Sequence, residues 1–163
     1  YIGDSILVPA NYDEVPDVIN NEELQKLAYG CDLDITTANY DENSVINIES
    51  TGELRENGFG DLKRLEGIEN LKQAMILRLI TPIGTLPLHP EYGSELISLI
   101  GKPRTHRQLI KIKLEIERTL KSDFRIEKIT SLQVHSSENG GVKVDCFIKP
   151  IDPFESFKFV HEF

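Results

Sequence analysis

The sequence predicts an α+β fold in which helices pack on a small antiparallel β-sheet, a C-terminal meander, with an acidic, partly irregular arm in front of them. Two observations support this prediction. Between residues 67 and 120 apolar residues recur at helical spacing, and after Asp123 they alternate with polar residues at the period of a strand. A run of helices followed by a run of strands is typical of an α+β domain.

The charge is distributed unevenly along the chain. The 163 residues suffice for one domain with a substantial core, and their net charge is −9. Residues 1–60 hold 13 acidic and 2 basic residues, a net of −11, so the rest of the chain has a net charge of +2. This acidity argues against binding to nucleic acid or to an anionic membrane. No apolar run approaches the roughly 20 residues that cross a bilayer. Neither nucleic acid nor a membrane is therefore expected as a partner.

The first 57 residues are predicted to form an acidic arm or an incomplete subdomain, because they contain few large apolar residues for their charge. Residues 2–9 have the pattern of a short strand that ends at Pro9. A short helix is expected to begin at residues 20–22 and to end at Gly30, and a further strand is predicted at residues 45–48.

The two cysteines, Cys31 and Cys146, stand far apart and in neither a metal-binding nor a redox spacing. Free, buried thiols are therefore expected, as in a reduced intracellular chain.

The first long helix is predicted to begin at Gly67 and to end before Pro82 and Gly84, which do not continue a helix. After an irregular stretch with two prolines, Ser94 is expected to cap a short helix that ends at Gly101. The apolar residues of the long helix recur at steps of three and four: Ile68, Leu71, Met75 and Leu79.

The longest helix is predicted to start at Thr105, where Thr105 and Gln108 form a capping-box sequence in which the Gln108 side chain reaches back to the Thr105 backbone. An apolar stripe along this helix is expected to face the core: Leu109, Ile112, Ile116 and Leu120.

The last part of the chain is predicted to be a meander of strands. Residues 126–134 and 142–148 alternate apolar and polar side chains on either side of a hairpin turn at residues 138–141. A last strand carries Phe157, Phe159 and His161. Its phenylalanines either pack on the core or mark an open edge that accepts a strand from another chain.

No constellation typical of an enzyme is found in the sequence. It holds neither a glycine-rich phosphate loop nor a nucleophile elbow, and none of its four histidines lies three to five residues from another histidine or a cysteine. A catalytic pair of carboxylates would have to be assembled across the fold. No catalytic, cofactor-binding or metal-binding residue and no cofactor are therefore predicted.

A basic set on and just before the longest helix has two interpretations. It is either a solvated helix face or a docking face for an acidic partner or nucleic acid. The interspersed Glu115 and Glu117, and the lack of aromatic residues for base stacking, favour the solvated face. The set comprises Lys102, Arg104, Arg107, Lys111, Lys113, Arg118 and Lys121.

Residues 61–149 resemble a known family. The residues that carry the resemblance are Asn70-Leu71-Lys72-Gln73-Ala74, Leu77-Arg78-Leu79-Ile80-Thr81-Pro82-Ile83-Gly84 and His89-Pro90-Glu91-Tyr92-Gly93-Ser94-Glu95-Leu96. In this order and spacing they are similar to the sheath-initiator, or baseplate wedge, proteins of contractile-tailed phages, R-type pyocins, type VI secretion and other contractile injection systems. The family also carries a lysozyme-like label.

The resemblance implies a structural protein, not an enzyme, that joins baseplate wedge proteins and templates sheath assembly by β-strand augmentation. It implies a hetero-oligomeric assembly in multiple copies, made in the cytoplasm of a bacterial host and located in the tail baseplate. The implied partners are other baseplate wedge proteins and the tail sheath protein, with tail tube or hub proteins as further candidates.

The resemblance also implies three sets of site residues. The family carries Glu-Pro-Arg after the long helix, and the corresponding wedge interface here is Asp123, Phe124 and Arg125, with a salt bridge inside the chain as the alternative for the two charged residues. The motif turn comprises Thr81, Pro82, Gly84, Pro90, Tyr92, Gly93 and Ser94. The candidate sheath-pairing edge comprises Ile126, Leu132, Val134, Val142, Val144, Ile148, Phe157 and Phe159.

A second resemblance concerns the start of the chain. Residues 3–9 are similar to the closing strand of LysM-type modules, which implies that the chain continues from a longer protein. It supports an alternative function, a cell-wall glycan-binding module or a peptidoglycan hydrolase. The expected division is an acidic arm at residues 1–57 and a baseplate wedge domain at residues 58–163.

Overall fold

The computed structural model describes residues 21–35, 38–40, 46–48, 54–103, 105–137, 141–151 and 154–163. The strand predicted at residues 2–9 lies outside the described residues, as do Arg104 of the basic set and most of the predicted hairpin turn. The elements, in chain order, are α1 (Asn21–Tyr29), β1 (Cys31–Leu33), β2 (Ala38–Tyr40), β3 (Ile46–Ile48), β4 (Arg64–Glu66), α2 (Gly67–Ile80), α3 (Leu96–Ile100), α4 (His106–Lys121), β5 (Ile126–Ser136), β6 (Val142–Pro150) and β7 (Phe157–Glu162).

The described elements confirm the α+β fold. The strands β5, β6 and β7 form an antiparallel sheet in that order, and the helices α2, α3 and α4 pack on one another, with α4 also against β5. Buried side chains from both layers make one core, and each contributes about 1.5–3 kcal/mol. They include Leu71, Met75, Leu79, Ile112, Ile116, Leu120, Val142, Val144, Cys146 and Ile148.

Two of the predicted helix caps differ in the structure. The Thr105 side chain accepts a hydrogen bond from the Gln108 N–H at 3.2 Å, as predicted. The Gln108 side chain does not reach back to Thr105, however, but donates to the Leu99 carbonyl at 2.8 Å. That carbonyl lies in the last turn of α3 and also accepts a hydrogen bond from the Lys102 N–H at 3.3 Å, so the buried amide is a second donor to the end of the helix. The cap of α3 is Glu95, one residue after the predicted Ser94.

The alternation predicted for β5 is only partly right. Ile126, Leu132 and Val134 face the core as expected, but Ile129 packs there too, while Lys128 and Thr130 are exposed. The register against β6 shifts twice along the first half of the strand. Each shift moves the following side chains to the other face of the sheet, which an alternating pattern does not anticipate.

Residues 21–35 are part of the domain rather than an arm. The helix α1 packs on α2, β1 pairs with β4, and Tyr29 lies in the core. The Asn70 amide donates to the Tyr29 carbonyl at 2.9 Å, and the Gln73 amide donates to the Leu33 carbonyl at 2.9 Å. A boundary at residue 57 therefore does not separate this segment from the domain.

Three smaller features complete the fold. The strand predicted at residues 45–48 corresponds to β3, which pairs with β2 and lies beside β7. Both cysteines are free; Cys146 is buried as predicted, whereas Cys31 is exposed because it lies on the edge strand β1 of a two-stranded sheet. None of the helices in the described ranges is long and apolar enough to cross a membrane.

Candidate functional site

The order of the three-stranded sheet decides which residues lie at an edge. The central strand β6 is paired with β5 on one side and with β7 on the other. Val142, Val144 and Ile148 therefore lie in a strand without a free edge, and this part of the predicted sheath-pairing edge is wrong. The remaining predicted edge residues lie in the two outer strands: Ile126, Leu132 and Val134 in β5, and Phe157 and Phe159 in β7.

The two outer strands differ in their surroundings. In the described part of the chain no strand pairs with the outer side of either one, but β3 lies close to β7 and no strand lies beside β5. An unpaired edge presents a row of backbone N–H and C=O groups that can bind another strand. Within the described structure, both edges are unpaired, and β5 is the one that has no other strand close to it.

A groove of about 330 Å³ runs between the outer side of β5 and the helix α4. The first half of α4 forms one wall and the second half of β5 forms the other, because the corner between them folds the chain back on itself. Ile110 is half exposed in this groove. The lining residues are His106, Leu109, Ile110 and Lys113 on the helix and Leu132, Gln133, Val134 and His135 on the strand.

The corner between α4 and β5 brings together the predicted acid and arginine. Arg125 Nε donates to Asp123 Oδ1 at 2.9 Å and its Nη2 donates to Oδ2 at 2.8 Å, which makes a two-point ion pair. The Arg125 backbone N–H also donates to Asp123 Oδ1 at 3.0 Å. Arg125 Nη1 donates to the Tyr29 carbonyl at 3.1 Å, so the pair ties the corner to the end of α1.

The electrostatics of this corner favour the charged forms of both side chains. Burial acts to raise the pKa of Asp123, but the hydrogen bonds and charge of Arg125 and the nearby charge of Arg78 outweigh it, so the pKa of Asp123 lies below its usual value. The hydrogen bond to Asp123 raises the pKa of Arg125. The ion pair is therefore intact at neutral pH.

Arg78, at the end of α2, links the corner to the motif turn. Its Nη1 donates to Ser122 Oγ at 2.7 Å, and its Nη2 lies 3.8 Å from Asp123 Oδ2. Its guanidinium lies 4.7 Å from the centre of the Tyr92 ring, a cation–π contact. Sequence reasoning missed this link, although an arginine within an otherwise apolar helical stretch was a signal for it.

The motif turn closes on itself. The Ser94 N–H donates to the Thr81 carbonyl at 2.8 Å, and the Ile83 N–H donates to the Ser94 carbonyl at 3.1 Å. Gly93 has a φ of 110°, and a Cβ there would overlap the Thr81 carbonyl oxygen, so the turn requires glycine at this position. One compact turn thus contains all the predicted motif residues: Thr81, Pro82, Gly84, Pro90, Tyr92, Gly93 and Ser94.

Phe124 projects from the corner into solvent. Its flanking residues Asp123 and Arg125 hold each other, while 81% of Phe124 is exposed. A large apolar side chain on a rigid corner is typical of an anchor in a protein–protein interface.

Part of the basic set is used within its own helix. Arg118 pairs with Glu115 at 2.5 Å and Lys121 pairs with Glu117 at 2.6 Å, as expected for a solvated face. Among the residues that the structure describes, no group of three or more His, Cys, Asp and Glu side chains could hold a metal ion.

An unpaired strand edge beside a groove and an exposed aromatic ring at a corner are features typical of proteins that bind other protein chains. Residues 39–152 match the family described as contractile injection system sheath initiators. The chain belongs to this family, which gives it a structural role in the baseplate of a contractile tail.

Two solved structures are similar to this chain. A protein described as a tail lysozyme from Geobacter sulfurreducens has a TM-score of 0.53 and 19% identity, and the match covers 58% of this chain and 87% of that chain. A chain of the postcontracted pyocin R2 baseplate has a TM-score of 0.45 and 26% identity, over 63% of this chain and 97% of that chain. The first match supports the fold alone. No curated protein sequence matches the chain.

Proposed function

We propose that this baseplate protein starts sheath assembly by offering the outer edge of β5 to a strand of the tail sheath protein, while Phe124 contacts a baseplate wedge protein. The observation that carries the proposal is the edge of β5, which no described strand pairs and which borders the groove against α4. Assembly through strand pairing uses backbone hydrogen bonds and needs neither a catalytic group nor a cofactor.

The strand β5 suits this role better than β7. A strand added beside β5 would gain backbone hydrogen bonds along its length and would place alternate side chains against α4. The apolar groove residues supply contact area for those side chains: Leu109, Ile110, Leu132 and Val134. The strand β7 lies beside β3, so an added strand would have to compete for that space.

Phe124 is the best candidate for contact with a wedge protein. The side chains of Asp123 and Arg125 are committed to each other, in agreement with the salt bridge considered as the alternative for them. Asp123 and Arg125 therefore fix the conformation of the corner, and the exposed ring of Phe124 between them supplies the binding energy. The partners are other wedge proteins and the sheath protein, with tail tube or hub proteins as neighbours, in multiple copies put together in the host cytoplasm.

The strand-pairing part of the proposal is tested by photo-crosslinking. A photoreactive amino acid replaces Gln133, which is exposed on β5, and in a matched control it replaces Lys158, which is exposed on β7. When sheath protein from the same system polymerises on baseplates that contain these variants, position 133 should crosslink to sheath and position 158 should not. Crosslinking at position 158 alone would assign the edge to β7 and contradict the proposal.

The wedge contact is tested by Phe124→Ala, with Phe147→Ala as the control because that ring is also exposed, on the outer face of β6. Phe124→Ala should weaken binding to wedge proteins about thirtyfold, the effect of losing an interface anchor. Its melting temperature should change little, since 81% of the residue is exposed and the Arg125 guanidinium lies as far as 6.0 Å from the centre of its ring. Equal loss of binding in both variants would remove Phe124 from the interface.

The alternative of a glycan-binding module or a peptidoglycan hydrolase has less support. The LysM-like residues 3–9 lie outside the described residues, and the tail lysozyme relative is only 19% identical. A peptidoglycan digestion assay separates the two functions. Robust activity that disappears on substitution of a single carboxylate would establish the hydrolase.

A further inference from the structure

The groove between α4 and β5 also indicates the chemistry of the strand that it accepts. We propose that this strand is acidic, with apolar residues at alternate positions and a carboxylate that pairs with Lys113. The inference rests on the proposed function, because it specifies the partner of the same edge.

The apolar part of the groove fits the alternation of a strand. Leu109 and Ile110 lie on the helix wall, and Leu132 and Val134 lie on the strand wall. Side chains of an added strand point alternately towards α4 and away from it, about 6.6 Å apart on each face. Every second residue of the partner would therefore meet these apolar walls, and burial of that surface favours valine, isoleucine or leucine there.

The charge of the groove is positive. Lys113 lines it; its acidic neighbour on the helix, Glu117, is ion-paired with Lys121 at 2.6 Å, and Lys113 itself forms no ion pair among the described residues. Arg107 and Lys111 are exposed nearby on the same helix, also without a described ion pair. A strand that covers Lys113 without a carboxylate would remove water from an ammonium group that forms no ion pair of its own, which is unfavourable.

The carboxylates close to the groove are already engaged. On α4, Glu115 binds Arg118 and Glu117 binds Lys121. On β5, Glu127 binds Lys149 at 2.7 Å. These are all the acidic residues of the two elements that form the groove, so a basic strand would find no free carboxylate on either wall. Charge complementarity therefore selects an acidic partner.

The experiment uses the full chain and three fluorescent peptides with blocked ends. Each peptide has nine residues, with valine at alternate positions and threonine between them, except at two intervening positions that hold glutamate, glutamine or lysine. Anisotropy measures affinity, and hydrogen exchange reports whether the amides of β5 become protected. We expect the glutamate peptide to bind about threefold to fivefold more tightly than the glutamine peptide, and the lysine peptide to bind most weakly.

A charge reversal locates the effect. In Lys113→Glu the preference should invert, so that the lysine peptide binds more tightly than the glutamate peptide. Lys111→Glu is the matched control, since Lys111 is an exposed lysine of the same helix that does not line the groove. This control should keep the preference for glutamate. If the preference inverts in both variants, it is caused by the overall charge of the helix, and the proposed pairing with Lys113 is overturned.

The remaining outcomes separate this inference from the proposed function. Equal binding of all three peptides, with β5 protected, would overturn the acidic preference and leave strand pairing at β5 in place. Absence of binding and of protection with every peptide would overturn both. Glutamate binding that appears only after deletion of residues 1–20 would make that acidic segment the occupant. Self-association of the chain through β5 that no peptide disperses would make the occupant a second copy. Either result would overturn the partner proposed.

Discussion

The carboxylate of Asp123 shows how one residue can fix a corner of this molecule. It is 3% exposed and receives hydrogen bonds from the side chain and the backbone of Arg125. Removing one partner of a buried ion pair leaves an uncompensated charge, which destabilises far more than the loss of a surface pair. The corner should therefore depend on both charges.

We predict that Asp123→Asn lowers the free energy of unfolding by about 3 kcal/mol at pH 7, because the mostly buried Arg125 loses its counter-charge. Urea denaturation measures the change. The contrasting variant is Glu127→Gln, which breaks the surface pair with Lys149 and should cost less than about 1 kcal/mol. Similar losses in both variants would mean that the corner is no more important than a surface contact.

The lowered pKa of Asp123 makes this contribution dependent on pH. A carboxyl group whose pKa is lower in the folded state stabilises the protein above its unfolded value of 3.8. That stability is lost as the pH falls through the folded pKa. The difference between the wild type and Asp123→Asn should therefore be constant from pH 5 to 7 and should shrink below about pH 4. A difference that does not shrink at all between pH 5 and pH 2 would have another cause.

At the scale of an element, the motif turn depends on one glycine more than on another. Gly93 and Gly84 both have positive φ, at 110° and 80°. A Cβ at Gly84 would point into open space, whereas a Cβ at Gly93 would meet the Thr81 carbonyl oxygen. The two glycines therefore separate the effect of backbone conformation from that of the close contact.

Gly84→Ala should cost about 1 kcal/mol, the strain of a positive φ alone. Gly93→Ala should cost at least about 3 kcal/mol, because the backbone of the turn must also move away from the new methyl group. Thermal denaturation of the two variants measures both values. Equal losses would show that the turn can open without penalty at Gly93.

Local patterns predicted the helices well but did not predict the pairing of the strands. The spacing of Leu71, Met75 and Leu79 is a property of one helix, and α2 follows it. The position of β6 at the centre of the sheet depends on partners that lie far away in the sequence, so Val142 and Val144 could not be excluded as edge residues from their own pattern. The second contact of Gln108 depends on where α3 ends in space, which is equally non-local.

At the scale of the whole molecule, the charge split of the sequence does not coincide with a split in the fold. The acidic residues before position 60 suggested an arm, yet Tyr29 contributes its ring to the core and its carbonyl to the Arg125 corner. The composition of a segment is an average over its residues, and that average does not reveal that a single aromatic residue is buried in the core. The sequence motif indicated the corner at Asp123 and Arg125, whereas the hydrogen bond from Arg125 to the Tyr29 carbonyl at the end of α1 could be seen only in the tertiary structure.

This integration predicts a sharp difference between two truncations. Removal of residues 1–30 should lower the free energy of unfolding by about 3–5 kcal/mol more than removal of residues 1–20, because only the longer deletion takes Tyr29 from the core. The comparison is made by chemical denaturation of both truncated chains. Equal stability of the two would assign α1 to a dispensable arm.

The two cysteines make the protein well suited to labelling in its natural sequence. Burial raises the pKa of the Cys146 thiol to about 12, so this group stays protonated and enclosed in the sheet. Cys31 is exposed, in a strand that pairs with β4 and belongs to a different sheet from β5. A maleimide dye should therefore attach at a single position and leave the β5 edge unmodified. A fluorophore there could count subunits and follow their incorporation into growing tails without the removal of any native residue.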